Sequence, residues 1–101
     1  MASALEHNLT TLRISRAYVA LVTRSKGDAK AVSLAWIGDY EIRMQAALPT
    51  SAVEQPIFLL DIFDHDAQIV IDTRACLTLA EGATAFEQFL FMMEPVAGGP
   101  H

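Results

Sequence analysis

Hydrophobic positions recur along this chain with two different periods, and each change of period marks an element. Between residues 3 and 24, Leu5, Leu9, Leu12 and Val19 return near helical spacing, with Ala17, Tyr18, Leu21 and Val22 widening the stripe. The spacing predicts a first helix. Ser3-Ala4-Leu5-Glu6 has the capping-box pattern, in which the serine oxygen accepts from the Glu6 N–H and the glutamate reaches back. Arg24-Ser25-Lys26-Gly27 supplies the stop: basic residues at the helix C-terminus and glycine just beyond.

From residue 30 the period becomes two. Residues 30–47 read as a hairpin folded at Gly38-Asp39, a Gly-X pair suited to a type II′ turn. Two-residue closure pairs Ile37 with Tyr40, Ala35 with Ile42, Ser33 with Met44 and Ala31 with Ala46 on an almost wholly apolar face. Trp36 with Glu41, Leu34 with Arg43 and Val32 with Gln45 then share the other face. The helix-friendly run from Met44 to Leu48 makes a helix the competing assignment. Residues 49–56 carry a proline at each end, and neither can donate to a sheet ladder, so they read as a connector.

Residues 57–72, IFLLDIFDHDAQIVID, set four aspartates and a histidine in an apolar run. A turn at His65-Asp66 matches Ile62 with Ile69, Leu60 with Ile71 and Phe58 with Thr73. A slip of one residue sets Leu60 against Asp72, and strand alternation would then mix core and solvent faces. The apolar match selects the first register, in which Asp64, His65 and Asp66 are turn residues.

A closing helix runs from about Leu79 to Met93, with Ala83, Phe86, Leu90 and Met93 as its stripe and Phe89 flanking. Thr78-Leu79-Ala80-Glu81 is a second capping-box spacing. Residues 95–101 are expected to form a flexible tail after Pro95. The fold class expected is α+β in the order α-β-β-β-β-α: one domain over residues 1–101, with two hairpins in one antiparallel sheet and both helices on one of its faces.

Charge and candidate chemistry then narrow the function. The net charge is −5, no Lys or Arg follows Arg74, and no basic run is present. Nucleic acid and anionic membrane are therefore disfavoured as partners, while a basic protein is favoured. The single cysteine, Cys76, excludes an internal disulfide and multi-cysteine metal sites, which fits a cytoplasmic location. A calcium loop starting at Asp64 would need Gly where Ile69 stands and Glu where Ala75 stands. His65 alone is too little for zinc. No metal and no cofactor are expected. Cys76 precedes a helix N-terminus, where thiols can be reactive, but His7, His65 and His101 are not placed beside it by the sequence. It reads as a small buried hydrophobe. No phosphate-binding glycine motif occurs. Gly82, inside the last helix, marks either a close approach of helix to sheet or only a small cost of about 1 kcal/mol relative to Ala.

Asp61 and Asp72 are expected on one sheet face, diagonal to each other. The outer face would carry Val32, Leu34, Trp36, Leu59, Phe63 and Val70 among Glu41, Arg43, Gln45, Asp61, Gln68 and Asp72. A mixed patch with Trp and Arg is the composition of a partner surface. The candidate interface residues are Trp36, Leu34, Arg43, Phe63, Asp61 and Asp72. The reading they support is a small acidic interaction or regulatory module without a catalytic motif, homodimeric through a contact near Trp36. The alternative is a small-ligand protein or minor enzyme using Asp61, Asp72 and His65 in a cleft.

Overall fold

A computed structural model describes residues 4–23, 31–47 and 55–93, with the side chains of the first helix from residue 8 onward. The elements are α1 (Ala4–Thr23), β1 (Ala31–Ile37), β2 (Tyr40–Ala46), β3 (Phe58–Asp64), β4 (Ile69–Cys76) and α2 (Leu79–Met93). The four strands form one antiparallel sheet in the order β1-β2-β3-β4. The α+β order read from the sequence is the order found. Helix α1 lies over β1 and β2, α2 over β3 and β4, and the two helices touch. The capping and stop signals at Ser3 and at 24–27, the connector over 49–54 and the tail lie outside the described residues.

The core between sheet and helices is built on Phe58, Leu60, Ile62, Ile42 and Met44 from below and Ile14, Ala83, Phe86 and Phe89 from above. On α1 the buried stripe is Ile14, Ala17 and Leu21, with Tyr18 packed at its side. The stripe expected through Leu9, Leu12, Val19 and Val22 is exposed instead. The helix is apolar on more than one side, so periodicity alone could not choose its inward face. Packing chose it: Ile14 lies in van der Waals range of Gly82, where α2 has no side chain.

Helix α2 starts as its sequence implies. The Glu81 N–H donates to Thr78 Oγ1 (3.0 Å), and Glu81 Oε1 reaches back to the N–H of Leu77 (2.7 Å), one residue beyond the usual box partner.

The first hairpin turns at Gly38 with φ +61, while Asp39 keeps an ordinary φ, as a type II′ turn requires. Its register follows the expected pairs from Ile37↔Tyr40 to Ala35↔Ile42 and then shifts. A bulge between Ser33 and Ala35 sets Ser33 against Arg43 and Val32 against Met44. Leu34 is the inserted residue and enters the core at 5% exposure, so it is not part of the outer face as the sequence suggested.

The second hairpin departs further from expectation. Its loop holds four residues, 65–68, not two. Asp64 Oδ1 accepts from the N–H groups of Asp66 (2.9 Å) and Ala67 (3.2 Å), the Gln68 N–H closes on the Asp64 carbonyl (2.7 Å), and Gln68 takes φ +60. The strands then pair as Asp64↔Ile69 and Phe63↔Val70. A second irregularity follows, beyond which Ile62↔Asp72, Asp61↔Thr73, Leu60↔Arg74 and Phe58↔Cys76. Ile71, expected under the helices, is 45% exposed. Directly opposed residues share a face, so Asp72 and Arg74 lie on the helix side at the sheet edge and Asp61 lies on the open side.

Candidate functional site on the open sheet face

Among the described residues no helix covers the second face of the sheet, and the side chains there form a connected cluster. β2 contributes Glu41, Arg43 and Gln45 by strand alternation, and β3 contributes Leu59, Asp61 and Phe63. The β2–β3 register sets Arg43 opposite Asp61. The guanidinium makes a two-pronged pair, Nε to Oδ1 at 2.9 Å and Nη2 to Oδ2 at 3.0 Å. Gln45 Nε2 donates to the same Oδ2. Asp61 is only 2% exposed, although no second layer of the described residues lies above it, because its neighbours close over it. The hydrogen bonds to Asp61 raise the Arg43 pKa above the ordinary arginine value, against the opposing effect of burial, and the charges of Asp61 and Glu41 add to the rise.

At the turn end the cluster becomes aromatic. Arg43 lies 4.5 Å over the Phe63 ring. His65 meets Phe63 edge-on at 4.7 Å and stacks on Trp36 at 4.5 Å with 29° between the planes. Its Nε2 bonds Glu41 Oε1 at 2.8 Å, and its backbone N–H donates to the Asp39 carbonyl at 2.9 Å, which ties the two hairpin turns together. The outer side of Trp36 stays open, with 56% of the residue exposed.

Of the residues singled out in the sequence, the open face brings together Trp36, Arg43, Phe63, Asp61 and His65. It excludes Leu34, which the bulge buries, and Asp72, which lies on the opposite face, 3.9 Å from Arg74 Nε. A cleft in which Asp61 and Asp72 act together is therefore not formed. Sequence reasoning passed over Glu41 and Gln45 as partners and treated His65 as a turn residue. The signal was available in the alternation Glu41-x-Arg43-x-Gln45, which matches Leu59-x-Asp61-x-Phe63 once β2 is set beside β3.

Chemically the cluster is closed on itself. Among the described residues no buried side-chain polar atom lacks a partner, and no three His, Cys, Asp or Glu converge as metal ligands. The hydroxyl residues opposite this cluster, Ser33 and Thr73, face Arg43 and Asp61 and not His65. Cys76 is 1% exposed on the other face. Burial pushes its thiol pKa up to about 11, with Glu81 adding and Arg74 opposing. It lacks the thiolate character of a nucleophile.

No family model matches the chain, and neither characterised proteins nor solved structures contain a significant match.

Proposed function

We propose that this chain is a small acidic protein-interaction module, and that Trp36 on the open sheet face receives a cationic segment of a partner protein. One observation carries the reading: a half-exposed tryptophan is held by an aromatic stack on His65, at the end of the sheet where Asp39, Glu41, Asp64 and Asp66 gather. Tryptophan offers the best ring face for a cation, and the interaction strengthens as the cation loses water. The nearby basic group on this face, Arg43, is already occupied by Asp61. The surrounding acids therefore attract an incoming Arg or Lys and steer its approach. The platform is set before the partner arrives, because Glu41 and Phe63 hold the His65 ring against Trp36. Such pre-ordering lowers the entropic cost of binding.

Trp36 is the only tryptophan in the chain, so its fluorescence reports the site directly. Oligo-arginine and oligo-lysine peptides should change its emission on titration, with affinity falling as salt is added, and an oligo-glutamate peptide should not. Trp36→Ala, followed by calorimetry, should reduce peptide affinity at least tenfold while the fold is kept, since the side chain is exposed. Peptides that leave the emission unchanged, or that bind Trp36→Ala as well as the parent, would remove this reading.

A further inference from the structure

The sheet has two edges, β1 and β4, and they are not equally protected. β1 is broken by the bulge at Ser33–Ala35, where the Arg13 guanidinium donates to the Leu34 carbonyl. Bulges and charged side chains are the common guards against strand addition. β4 begins with Ile69, Val70 and Ile71, exposed at 55, 46 and 45%, and carries its own irregularity at Ile71, but beyond it a regular five-residue stretch runs from Asp72 to Cys76, longer than either piece of β1 beside its bulge.

The backbone of that stretch has a definite direction. The Cys76 carbonyl accepts from the Ile57 N–H at 2.8 Å and so faces β3. Alternation then turns the backbone groups of Arg74 and Asp72 toward β3, and those of Thr73 and Ala75 toward the open edge. The Thr73 N–H donates to Asp72 Oδ1 at 2.8 Å, as an amide at an open edge does.

We propose that β4 is a dimerisation edge, pairing antiparallel with β4 of a second copy about a two-fold axis at Thr73. In that register Thr73 exchanges backbone hydrogen bonds with Thr73 of the partner subunit. Asp72 faces Arg74 of the partner subunit, and Arg74 faces Asp72 of the partner subunit, on the same side of the sheet. The motif Asp72-Thr73-Arg74 is its own complement, and the axis uses the ion pair twice. This singles out a second copy as the occupant: a strand of one charge sign would satisfy one of the two groups and repel the other. The net charge of −5 opposes general self-association, so a local match is needed. The same register brings the apolar Ile69–Ile71 segment of one copy toward the groove of about 370 Å³ between β4 and α2 of the other, whose walls include Ala75, Cys76, Ala80 and Ala85. The product is a continuous eight-stranded sheet with both helical layers on one side.

Sedimentation velocity across a dilution series tests the pairing. The wild type should dimerise. Asp72→Arg alone and Arg74→Asp alone each set two like-charge pairs at the axis, and each should raise the dimer dissociation constant about tenfold or more. An equimolar mixture of the two variants should recover dimer as a heterodimer, seen by native mass. Because Arg74 also reaches Gln88 (2.7 Å) and the Phe89 ring, Thr73→Pro is the second variant. It removes an N–H that points away from β3 and bonds Asp72 Oδ1, leaving the β3–β4 ladder intact, and circular dichroism should show a folded monomer. A wild type that stays monomeric throughout, folded variants that dimerise as before, or a mixture that does not recover would each overturn the proposal. The Trp36 site is a separate surface: Trp36→Ala should leave dimerisation unchanged, and the β4 variants should keep peptide binding.

Discussion

Gly82 and Phe58 occupy one space: a Cβ built on Gly82 would lie 2.4 Å from Phe58 Cζ and 3.1 Å from Ile14 Cγ2. Phe58 is fully buried and cannot swing aside. Gly82→Ala would gain about 1 kcal/mol of helix propensity. It would also force α2 off the sheet, and overpacking of this kind costs about 1–3 kcal/mol. The expected result is a net loss of stability of up to about 2 kcal/mol by urea denaturation. Phe58→Leu in the same chain should soften that loss, because the shorter side chain vacates the contested position.

The Arg43–Asp61 pair should behave as a buried pair on an uncovered face. Arg43→Ala leaves the Asp61 carboxylate, 3% exposed, with Gln45 as its remaining side-chain donor. Removing one partner of a buried pair costs about 3–5 kcal/mol. Arg43 keeps some solvent contact, so about 2–3 kcal/mol is expected from chemical denaturation. The double change Arg43→Met with Asp61→Leu should recover most of it, because no charge is then left buried.

Core and turn positions should separate cleanly. Leu60→Ala and Phe86→Ala remove side chains from the packed interior, and each should cost about 2–5 kcal/mol. Asp66 is exposed in the loop, and Asp66→Asn should change stability by less than about 0.5 kcal/mol. Asp64→Ala differs, because its carboxylate accepts two loop amides. By analogy with helix caps it should cost about 1 kcal/mol. Thermal melts of the four variants rank these outcomes.

Cys76 should resist alkylation. At pH 8 a thiol titrating near 11 holds about a hundredfold less thiolate than one titrating near 9, and the sulfur is shielded as well. Iodoacetamide labelling followed by mass should be slow in the folded chain and fast in urea. The folded pKa lies above the unfolded one, so between pH 9 and 11 the unfolded chain loses the proton first. Stability therefore falls as pH rises through that window. Cys76→Ala should lack this part of the alkaline decline.

The order of elements, both hairpins and the cap at Thr78 were legible in the sequence, because each rests on local chemistry: period, turn glycine, short-range hydrogen bond. Gly82 left two readings open, and the packing of Phe58 against it decided for the close approach. The sheet register beyond each turn was not. In Phe58–Asp64 and Ile69–Cys76 both parities carry apolar residues, so a two-residue turn with matched isoleucines looked as good as a four-residue loop capped by Asp64. The choice lies in which residues the helices can cover, and that is a property of the assembled layers. The two strand irregularities followed from it. One drew Leu34 inward, and the other sent Asp72 to the face opposite Asp61.

By itself, then, the sequence determined which segments are helix and strand and that they close into one layer of each. Tertiary structure decided which face of α1 is buried, the partnership of Arg43 with Asp61, the stack of His65 on Trp36, and which strand edge is left open. Those relations join residues 18 to 29 positions apart, or depend on strands that are neighbours only in the sheet. They arise when packing selects one register among several that local preference allows.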